Sequence, residues 1–302
     1  MTVRTDRRSV LTGFGALGLI GCSPRADAVA ADVVRPTSLA LDFGPLERRH
    51  GGRLGFTAVV PGGDRIDWRA SERFVYCSTF KMYLAAAVLE RVQRGEERLD
   101  RAVPVTRADM VNHAPVTEPA IGSTLTIETL CKAVVEVSDN PAANILIREM
   151  GGLDVLRAWY RLIGDDSTTV DRLEPMMNRL DGDKDTITPA QSAENLQRLF
   201  LSEETPLTPE SKTRLLRWMF DSPTGMARIK AGVPAGWRVA HKTGTGGYGP
   251  TNDIGLAYAP SGQTVIIAAY YHGAASSSDA DNEAVIAEAT RMAVAALGLA
   301  TA

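Results

Sequence analysis

Side chains that bind transition metals are scarce in this chain. Its 302 residues include only three cysteines and four histidines. The histidines (His50, His113, His241 and His272) are scattered, and they show no metal-ligand spacing beside cysteines or carboxylates. This scarcity argues against a metal-dependent hydrolase, and we expect neither a metal nor a cofactor.

The chain also lacks a strong net charge and, beyond its N-terminus, a long apolar run. A formal net charge of -3 gives no general attraction to nucleic acid or to anionic membranes, so we expect no nucleic-acid partner. No stretch of about 18 apolar residues follows position 30, which argues against a membrane-spanning helix there. With 44% hydrophobic and 23% charged residues, the composition is that of an ordinary globular protein.

Residues 1–30 have the features of an export signal. Arg7 and Arg8 precede a short, weakly apolar, glycine-rich stretch, which is typical of the twin-arginine route. Two processing routes stay open. Residues 19–22 (Leu-Ile-Gly-Cys) form a lipobox that would leave a lipidated Cys22 as a membrane anchor, whereas residues 28–30 (Ala-Val-Ala) offer an ordinary cleavage site. Either route predicts a periplasmic location, free or at the membrane face, in an oxidising compartment.

The two ends of the chain predict one sheet with helices packed on it. Apolar runs separated by turn residues indicate five strands, over residues 53–60, 65–70, 238–245, 252–259 and 264–271. Short connections favour antiparallel neighbours, so we predict a five-stranded antiparallel sheet flanked by N- and C-terminal helices. The closing helix, over residues 282–297, carries an apolar stripe that can cover the sheet.

The middle of the chain predicts helices instead. Threonine–proline pairs at residues 188–189 and 208–209 are typical helix starts, and residues 82–92 are apolar nearly all round, as in a buried helix. We therefore predict a mixed α/β fold whose seam between domains is the expected place for a small-molecule cleft. The predicted domains are a discontinuous sheet-and-helix domain, residues 36–70 and 219–302, and an inserted all-helical domain, residues 71–218.

Three short motifs follow one another along the chain: Ser78-Thr79-Phe80-Lys81, Ser138-Asp139-Asn140 and Lys242-Thr243-Gly244. At ordinary residue frequencies, all three occur together in only about a few chains of this length per thousand. Ser78 and Lys81 are three residues apart, so on a helix they share a face. A serine hydroxyl needs a neighbour to take its proton, and a buried lysine with a lowered pKa can do so.

These motifs are the known signature of class A β-lactamases and penicillin-binding proteins. The chain resembles a class A β-lactamase from about residue 36 to its C-terminus, with Glu174 and Asn178 between the second and third motifs. The resemblance implies a serine hydrolase that opens the β-lactam ring of penicillins and cephalosporins, with carbapenems as a further candidate. It implies an acyl-enzyme on Ser78, deacylated by water that Glu174 activates. Small-molecule β-lactams are then the expected partners, and we expect a monomer.

The resemblance also implies a role for each motif residue. Ser78 is the nucleophile, Lys81 is a candidate base, and Ser138 relays a proton to the departing ring nitrogen. The backbone N–H groups of Ser78 and Thr245 would form the oxyanion hole. The residues implied for binding the substrate carboxylate and acylamide are Lys242, Thr243, Thr245 and Asn140.

The loop between Arg172 and Asp185 bears on deacylation. Glu174 and Asn178 can share one water and aim it at an acyl-enzyme carbonyl, with Glu174 as general base. Arg172 and Asp185 are expected to tie the ends of the loop with an ion pair. By comparison with the family the loop is short, and Leu173 replaces a common tryptophan, so the position of that water and the substrate range can differ here.

Other positions bear on substrate range. Thr251 stands where many relatives have a carboxylate-binding arginine, and Arg228 matches the alternative site that a minority use. His113 occupies a gatekeeping position that is often aromatic. The combination of Arg228, Thr245 and His113 resembles the one found in broad-spectrum members of the family, some of which hydrolyse carbapenems. Cys77 lacks the disulfide partner that it has in some relatives, as described next, and this absence argues against such a broad substrate range.

The cysteines predict no intramolecular disulfide. By resemblance, Cys77 occupies a site that some relatives bridge to a position that is Gly246 here. Cys131 occupies a site that other relatives bridge to a position that is Ala85 here. Each is half of a different family disulfide, so we expect two buried free thiols.

Two other interpretations share much of this site. A penicillin-binding DD-peptidase would use the same serine and lysine motifs but would deacylate β-lactams poorly. A non-catalytic β-lactam sensor would acylate and stop, and it would need a transmembrane or fused signalling module. The pair Glu174 and Asn178 favours the hydrolase over both, because it can activate the water that removes a β-lactam acyl group, a step that the DD-peptidase performs poorly and the sensor does not perform.

Overall fold

The computed structural model describes residues 37–247 and 249–300, so the export signal and Cys22 lie outside the described residues. The strands are β1 Ser38–Leu39, β2 Arg53–Val59, β3 Arg65–Trp68, β4 Phe74–Val75, β5 Ala102–Pro104, β6 Thr124–Thr126, β7 Thr186–Ile187, β8 Arg238–Thr245, β9 Pro250–Tyr258 and β10 Thr264–His272. The helices are α1 Gly44–His50, α2 Phe80–Gln93, α3 Ile127–Glu136, α4 Asn140–Met150, α5 Leu153–Leu162, α6 Pro189–Phe200, α7 Pro209–Asp221, α8 Ile229–Gly232 and α9 Asp279–Ala296. Over these ranges, no helix combines the length and apolarity needed to cross a bilayer.

The main sheet has six strands in the order β1-β3-β2-β10-β9-β8. The prediction of a five-stranded, wholly antiparallel sheet is therefore wrong at one edge, where β1 pairs with β3 in parallel. Only Ser38 and Leu39 form β1, and two residues are too few to show the alternation that marks a strand. The five predicted strands are present close to their expected positions, and every pair among them is antiparallel.

Both faces of the main sheet are covered. On β10, Ile266 and Ala268 belong to the apolar cluster that includes α2 and α6, whereas Val265 and Ile267 belong to the cluster that includes α1 and α9. Alternate residues of a strand point to opposite faces, so one strand contributes to both cores. The described residues thus form three layers, with α1 and α9 on one face of the sheet and the larger set of helices on the other.

The region predicted to be all-helical also contains short strands. Two small ladders, β4 with β7 and β5 with β6, lie between the helices. The helix starts at Thr188 and Thr208 are confirmed, since both threonine side chains accept a hydrogen bond from a backbone N–H in the first turn. α2 is buried continuously from Phe80 to Leu89, as its apolar composition predicts. The division into two domains remains a prediction.

Candidate active site

Ser78 lies in the short 3₁₀ turn Cys77–Thr79, immediately before α2. Cys77 has a φ of 47°, a left-handed backbone conformation that is uncommon for a residue with a side chain. Lys81 follows one turn later, and its Nζ donates to Ser78 Oγ at 3.0 Å. The contact that the spacing predicts between the serine and the lysine is therefore present.

Lys81 is fully buried and surrounded by oxygen atoms. Its Nζ lies 3.0 Å from Glu174 Oε1 and 2.7 Å from the backbone oxygen of Ser138, and it also donates to Asn140 Oδ1. Burial lowers the pKa of Lys81, and this effect outweighs the opposite effect of the Glu174 carboxylate. A lowered pKa increases the population of the neutral amine, which can accept a proton.

The hydroxyl of Ser138 lies between two buried lysines. Ser138 Oγ accepts from Lys81 Nζ at 3.3 Å and from Lys242 Nζ at 3.2 Å. Burial, reinforced by the positive charge of Lys81, holds the pKa of Lys242 well below its usual range. A negatively charged ligand beside Lys242 would act in the opposite direction and favour the ammonium form.

The middle motif has a structural residue at its centre. Asp139 is the N-cap of α4, and its carboxylate also accepts the backbone N–H groups of Val116 and Thr117 at 2.9 Å. Asn140 follows, with its amide oxygen on Lys81 and its amide nitrogen donating to the backbone oxygen of Asn112 at 2.9 Å. Asp139 thus fixes the loop beside Asn140.

The loop that carries Glu174 is closed by the predicted ion pair. Arg172 Nε donates to Asp185 Oδ2 at 2.5 Å, while Asp185 Oδ1 accepts the backbone N–H groups of Asp171 and Arg172. Asn144, on α4, brackets the backbone of Glu174 by accepting its N–H and donating to its carbonyl, both at 3.0 Å. The position of the Glu174 backbone is thus fixed from both sides.

The Glu174 carboxylate faces the nucleophile. Ser78 Oγ lies 3.4 Å from Glu174 Oε1, and Asn178 Nδ2 donates to Glu174 Oε2. The amide oxygen of Asn178 is buried and has no hydrogen-bond partner among residues 37–247 and 249–300. A carboxylate and an unpaired amide oxygen beside a serine can hold one water between them, which is the arrangement that the sequence predicts.

Arg228 is buried beneath the end of β8. It donates to Thr245 Oγ1 at 2.7 Å, to the backbone oxygens of Gly244 and Asn252, and to Glu283 Oε1 at 3.0 Å. These contacts use four of the five guanidinium N–H groups. Arg228 therefore orients the Thr245 hydroxyl and brings a permanent positive charge to this end of the site.

Two glycines allow the end of β8 and the residue after it to lie close to the nucleophile turn and to the Glu174 loop. A Cβ at Gly244 would lie 2.7 Å from the backbone oxygen of Tyr76, and one at Gly246 would lie 2.6 Å from the backbone oxygen of Asn178. Such distances are too short for a carbon atom, so a side chain there would displace the backbone. Gly244 thus allows β8 to lie against the nucleophile turn. The sequence motif does not show this constraint by itself.

Together these residues form a cleft of about 640 Å³. His113 lies at its wall with an exposed side chain, a φ of 61°, and its Nε2 2.9 Å from the backbone oxygen of Val137. Lys81, Glu174 and Lys242 are buried behind the wall. The other predicted residues that line the cleft are Ser78, Ser138, Asn140, Asn178, Arg228, Thr243 and Thr245.

Known proteins match this chain along most of its length. Residues 42–297 match the model of the β-lactamase enzyme family. A solved structure of an ancestral (GNCA) class A β-lactamase is 44% identical, with a TM-score of 0.80, covering 83% of this chain and 97% of that one. The chain belongs to the class A β-lactamase family. Hydrolysis of a β-lactam is therefore its reaction.

Natural class A β-lactamases are similar over almost the whole chain. β-Lactamase L2 of Stenotrophomonas maltophilia is 39% identical over 286 residues, or 94% of each chain. The carbapenem-hydrolyzing β-lactamase KPC of Klebsiella oxytoca is 39% identical over 297 residues, or 97% of this chain and 98% of that one.

Some residues of this class A β-lactamase site were missed from the sequence. Glu283 lines the cleft and pairs with Arg228 from α9, a helix that the sequence identifies only by its apolar stripe. Thr224 shares a hydrogen bond with Thr243 at 2.9 Å, and Asn252 donates to the backbone oxygens of Val75 and Tyr76. No local pattern marks these side chains, because their partners are distant in sequence.

The two cysteines of the β-lactamase fold give a direct prediction. Cys77 and Cys131 are both buried and unpaired in the described part of the chain, and burial raises the pKa of each thiol. A Cβ at Gly246 would lie 3.2 Å from Cys77 Sγ, so the two positions are neighbours, but glycine offers no second sulfur. Thiol titration of the unfolded, exported protein should count both cysteines as free. A disulfide-linked Cys77–Cys131 peptide in the mass spectrum would contradict this.

Proposed function

We propose that this class A β-lactamase acts through an acyl-enzyme on Ser78 that a water activated by Glu174 hydrolyses. One observation carries the proposal: a single buried carboxylate contacts the hydroxyl of Ser78, the ammonium of Lys81 and the amide of Asn178. A nucleophile and a base within hydrogen-bond reach of each other are the minimum that acyl transfer needs.

In the proposed acylation, Ser78 Oγ attacks the β-lactam carbonyl carbon while Lys81 or Glu174 takes the hydroxyl proton. The C–N bond of the ring then breaks, and the nitrogen receives a proton through Ser138, whose hydroxyl contacts both lysines. The backbone N–H groups of Ser78 and Thr245 stabilise the oxyanion. Removal of one such donor typically costs on the order of 10²–10³ in rate.

In the proposed deacylation, Glu174 removes a proton from a water that Asn178 helps to hold. The resulting hydroxide attacks the ester carbonyl, and the proton returns to Ser78 Oγ as the acid product leaves. Glu174 is suited to this step because its backbone is held by Asn144 and its second oxygen by Asn178. A positioned base of this kind is worth roughly 10²–10⁴ in rate.

For substrate binding, we assign the carboxylate to a cationic, hydroxyl-bearing end of the cleft formed by Lys242, Thr243, Thr245 and Arg228. Lys242 and Arg228 supply positive charge, and the Thr245 hydroxyl that Arg228 holds can rotate its proton toward the ligand. Asn140 is assigned to the acylamide, and its neighbour His113 to contacts with the rest of the substrate.

Arg228→Ala is expected to lower kcat/KM for benzylpenicillin roughly ten- to a hundredfold. This loss corresponds to about 1.5–3 kcal/mol of transition-state stabilisation. The cause is the loss of a charge-assisted contact and of the orientation of Thr245. Arg238→Ala is a matched control, because Arg238 is an exposed arginine at the opposite end of β8. Steady-state kinetics on both variants measure the effect, and equal kcat/KM values for the wild type and Arg228→Ala would show that Arg228 does not serve the substrate.

We propose penicillins and cephalosporins as substrates, with carbapenems as the class that needs a direct test. Arg228, Thr245 and His113 support a broad range, and a relative with 39% identity is named for carbapenem hydrolysis. Hydrolysis of one member of each class should be followed side by side by absorbance. We expect turnover of the penicillin and the cephalosporin; stoichiometric acylation without turnover would favour a DD-peptidase or a sensor.

We also propose that the enzyme is exported to the periplasm by the twin-arginine route and acts there as a monomer. A Cys22→Ala variant separates the two processing routes: loss of the enzyme from the membrane fraction would indicate a lipid anchor.

We further propose two domains, a discontinuous one of residues 36–70 and 219–302 and an inserted one of residues 71–218. The cleft receives side chains from both parts.

A further inference from the structure

Tyr76 joins the nucleophile turn to the loop that carries Glu174. The residue lies two positions before Ser78, and its side chain is 1% exposed. Its hydroxyl donates to Asp185 Oδ1 at 3.1 Å, and its backbone N–H donates to the carbonyl of Asp185, also at 3.1 Å. Both the side chain and the main chain of Tyr76 therefore contact the residue that closes the loop.

Asp185 is the point where the two ends of the loop meet. Besides the Tyr76 hydroxyl, its carboxylate accepts the backbone N–H groups of Asp171 and Arg172 and the Arg172 side chain. Glu174 follows Arg172 by two residues. The start of the loop, its end and the segment before the nucleophile thus share one fully buried carboxylate.

The phenol is a donor in this contact. Burial raises the pKa of Tyr76 well above its usual range, and the neighbouring Asp185 carboxylate acts in the same direction. The hydroxyl therefore stays protonated, and it gives its hydrogen bond to a charged acceptor, which makes the bond stronger than one between neutral groups.

The nucleophile does not depend on this hydroxyl. The backbone oxygen of Tyr76 accepts from Thr79 Oγ1 at 2.8 Å and from Asn252 Nδ2 at 3.1 Å, and both bonds persist if tyrosine becomes phenylalanine. Loss of the hydroxyl would therefore remove one of the bonds that hold the Asp185 carboxylate while it leaves the turn of Ser78 in place.

We propose that Tyr76 is a positioning residue for deacylation: through Asp185 it sets the distance between the Glu174 carboxylate and the acyl group on Ser78. This role rests on the proposed function of Glu174. The bonds and protons of each chemical step are those described above, and Tyr76 is buried and does not line the cleft.

The test compares acylation and deacylation rates in Tyr76→Phe, with benzylpenicillin as the probe and rapid-quench mass spectrometry as the readout. We expect deacylation to slow by about 3- to 30-fold, with kcat and KM falling together, while acylation changes less than about twofold. Tyr83→Phe is the matched control, because its buried hydroxyl contacts Ser192 instead of the loop. Both rates in the control should equal those of the wild type.

A double-mutant cycle with Asp185→Asn adds a second, independent measurement. If the hydroxyl acts through Asp185, Tyr76→Phe should slow deacylation much less in the Asp185→Asn enzyme than in the wild type. Additive effects, or an equal loss in acylation and deacylation, would overturn the role of Tyr76. If Glu174→Gln accumulates an adduct on Ser78 but Tyr76→Phe deacylates normally, only the inference on Tyr76 fails. If Glu174→Gln forms no adduct, the proposed function fails as well.

Discussion

Glu174→Gln is expected to lower kcat for benzylpenicillin on the order of 10²–10⁴, with an initial burst of product followed by almost no turnover. Glutamine keeps the size of the side chain and an oxygen for Asn178, but it cannot accept a proton from water. Acylation retains Lys81 as a base, in contact with Ser78 Oγ at 3.0 Å. Deacylation needs a base beside the water that Asn178 helps to hold, and Glu174 is the carboxylate in contact with Asn178, so this step should slow most.

The control for that variant is Asp181→Asn. Asp181 lies on the same loop, but its half-exposed side chain forms surface ion pairs, with Lys184 at 2.8 Å and with Arg172 at 3.6 Å. Its removal should change kcat by less than about twofold, because an ion pair exposed to solvent contributes little. Normal turnover in Glu174→Gln would mean that other residues activate the water. Glu174 and Asn178 would then no longer distinguish this enzyme from a DD-peptidase.

Ser78→Ala should abolish covalent labelling and lower kcat on the order of 10⁶, as removal of the nucleophile does in a serine protease. The fold should survive, because the change removes one small hydroxyl and Lys81 keeps its contacts with Glu174, Ser138 and Asn140. Intact-mass measurement and a thermal melt on the same sample check both parts.

Ser202→Ala is a suitable control for the serine variant, since Ser202 lies on a distant surface loop after α6. It should retain both labelling and turnover. Retained turnover or labelling in Ser78→Ala would identify a different nucleophile.

The sequence predicts this site well where the chemistry is local. Ser78 and Lys81 are one helical turn apart, and Glu174 and Asn178 share one short loop, so their contacts follow from spacing and residue type. The same reasoning places Thr188 at a helix start, because capping is decided by residues within one turn.

The contacts that the sequence does not predict are the long-range ones. Glu283 reaches Arg228 across 55 positions, and Asn252 reaches Tyr76 across 176. Such pairs depend on how the sheet and α9 pack, and the hydrophobic periodicity of the sequence does not predict that packing. The edge strand β1 was missed for the opposite reason, since a strand of two residues is too short to have a period.

The central claim is that Ser78 carries an acyl-enzyme whose lifetime Glu174 controls. Time-resolved mass spectrometry of the wild type and Glu174→Gln, each mixed with benzylpenicillin, tests it most directly. We expect a mass increase equal to the whole drug, mapped to the peptide that contains Ser78. This increase should be brief in the wild type and long-lived in the variant. An adduct on another residue, or equal adduct lifetimes in the two proteins, would contradict it.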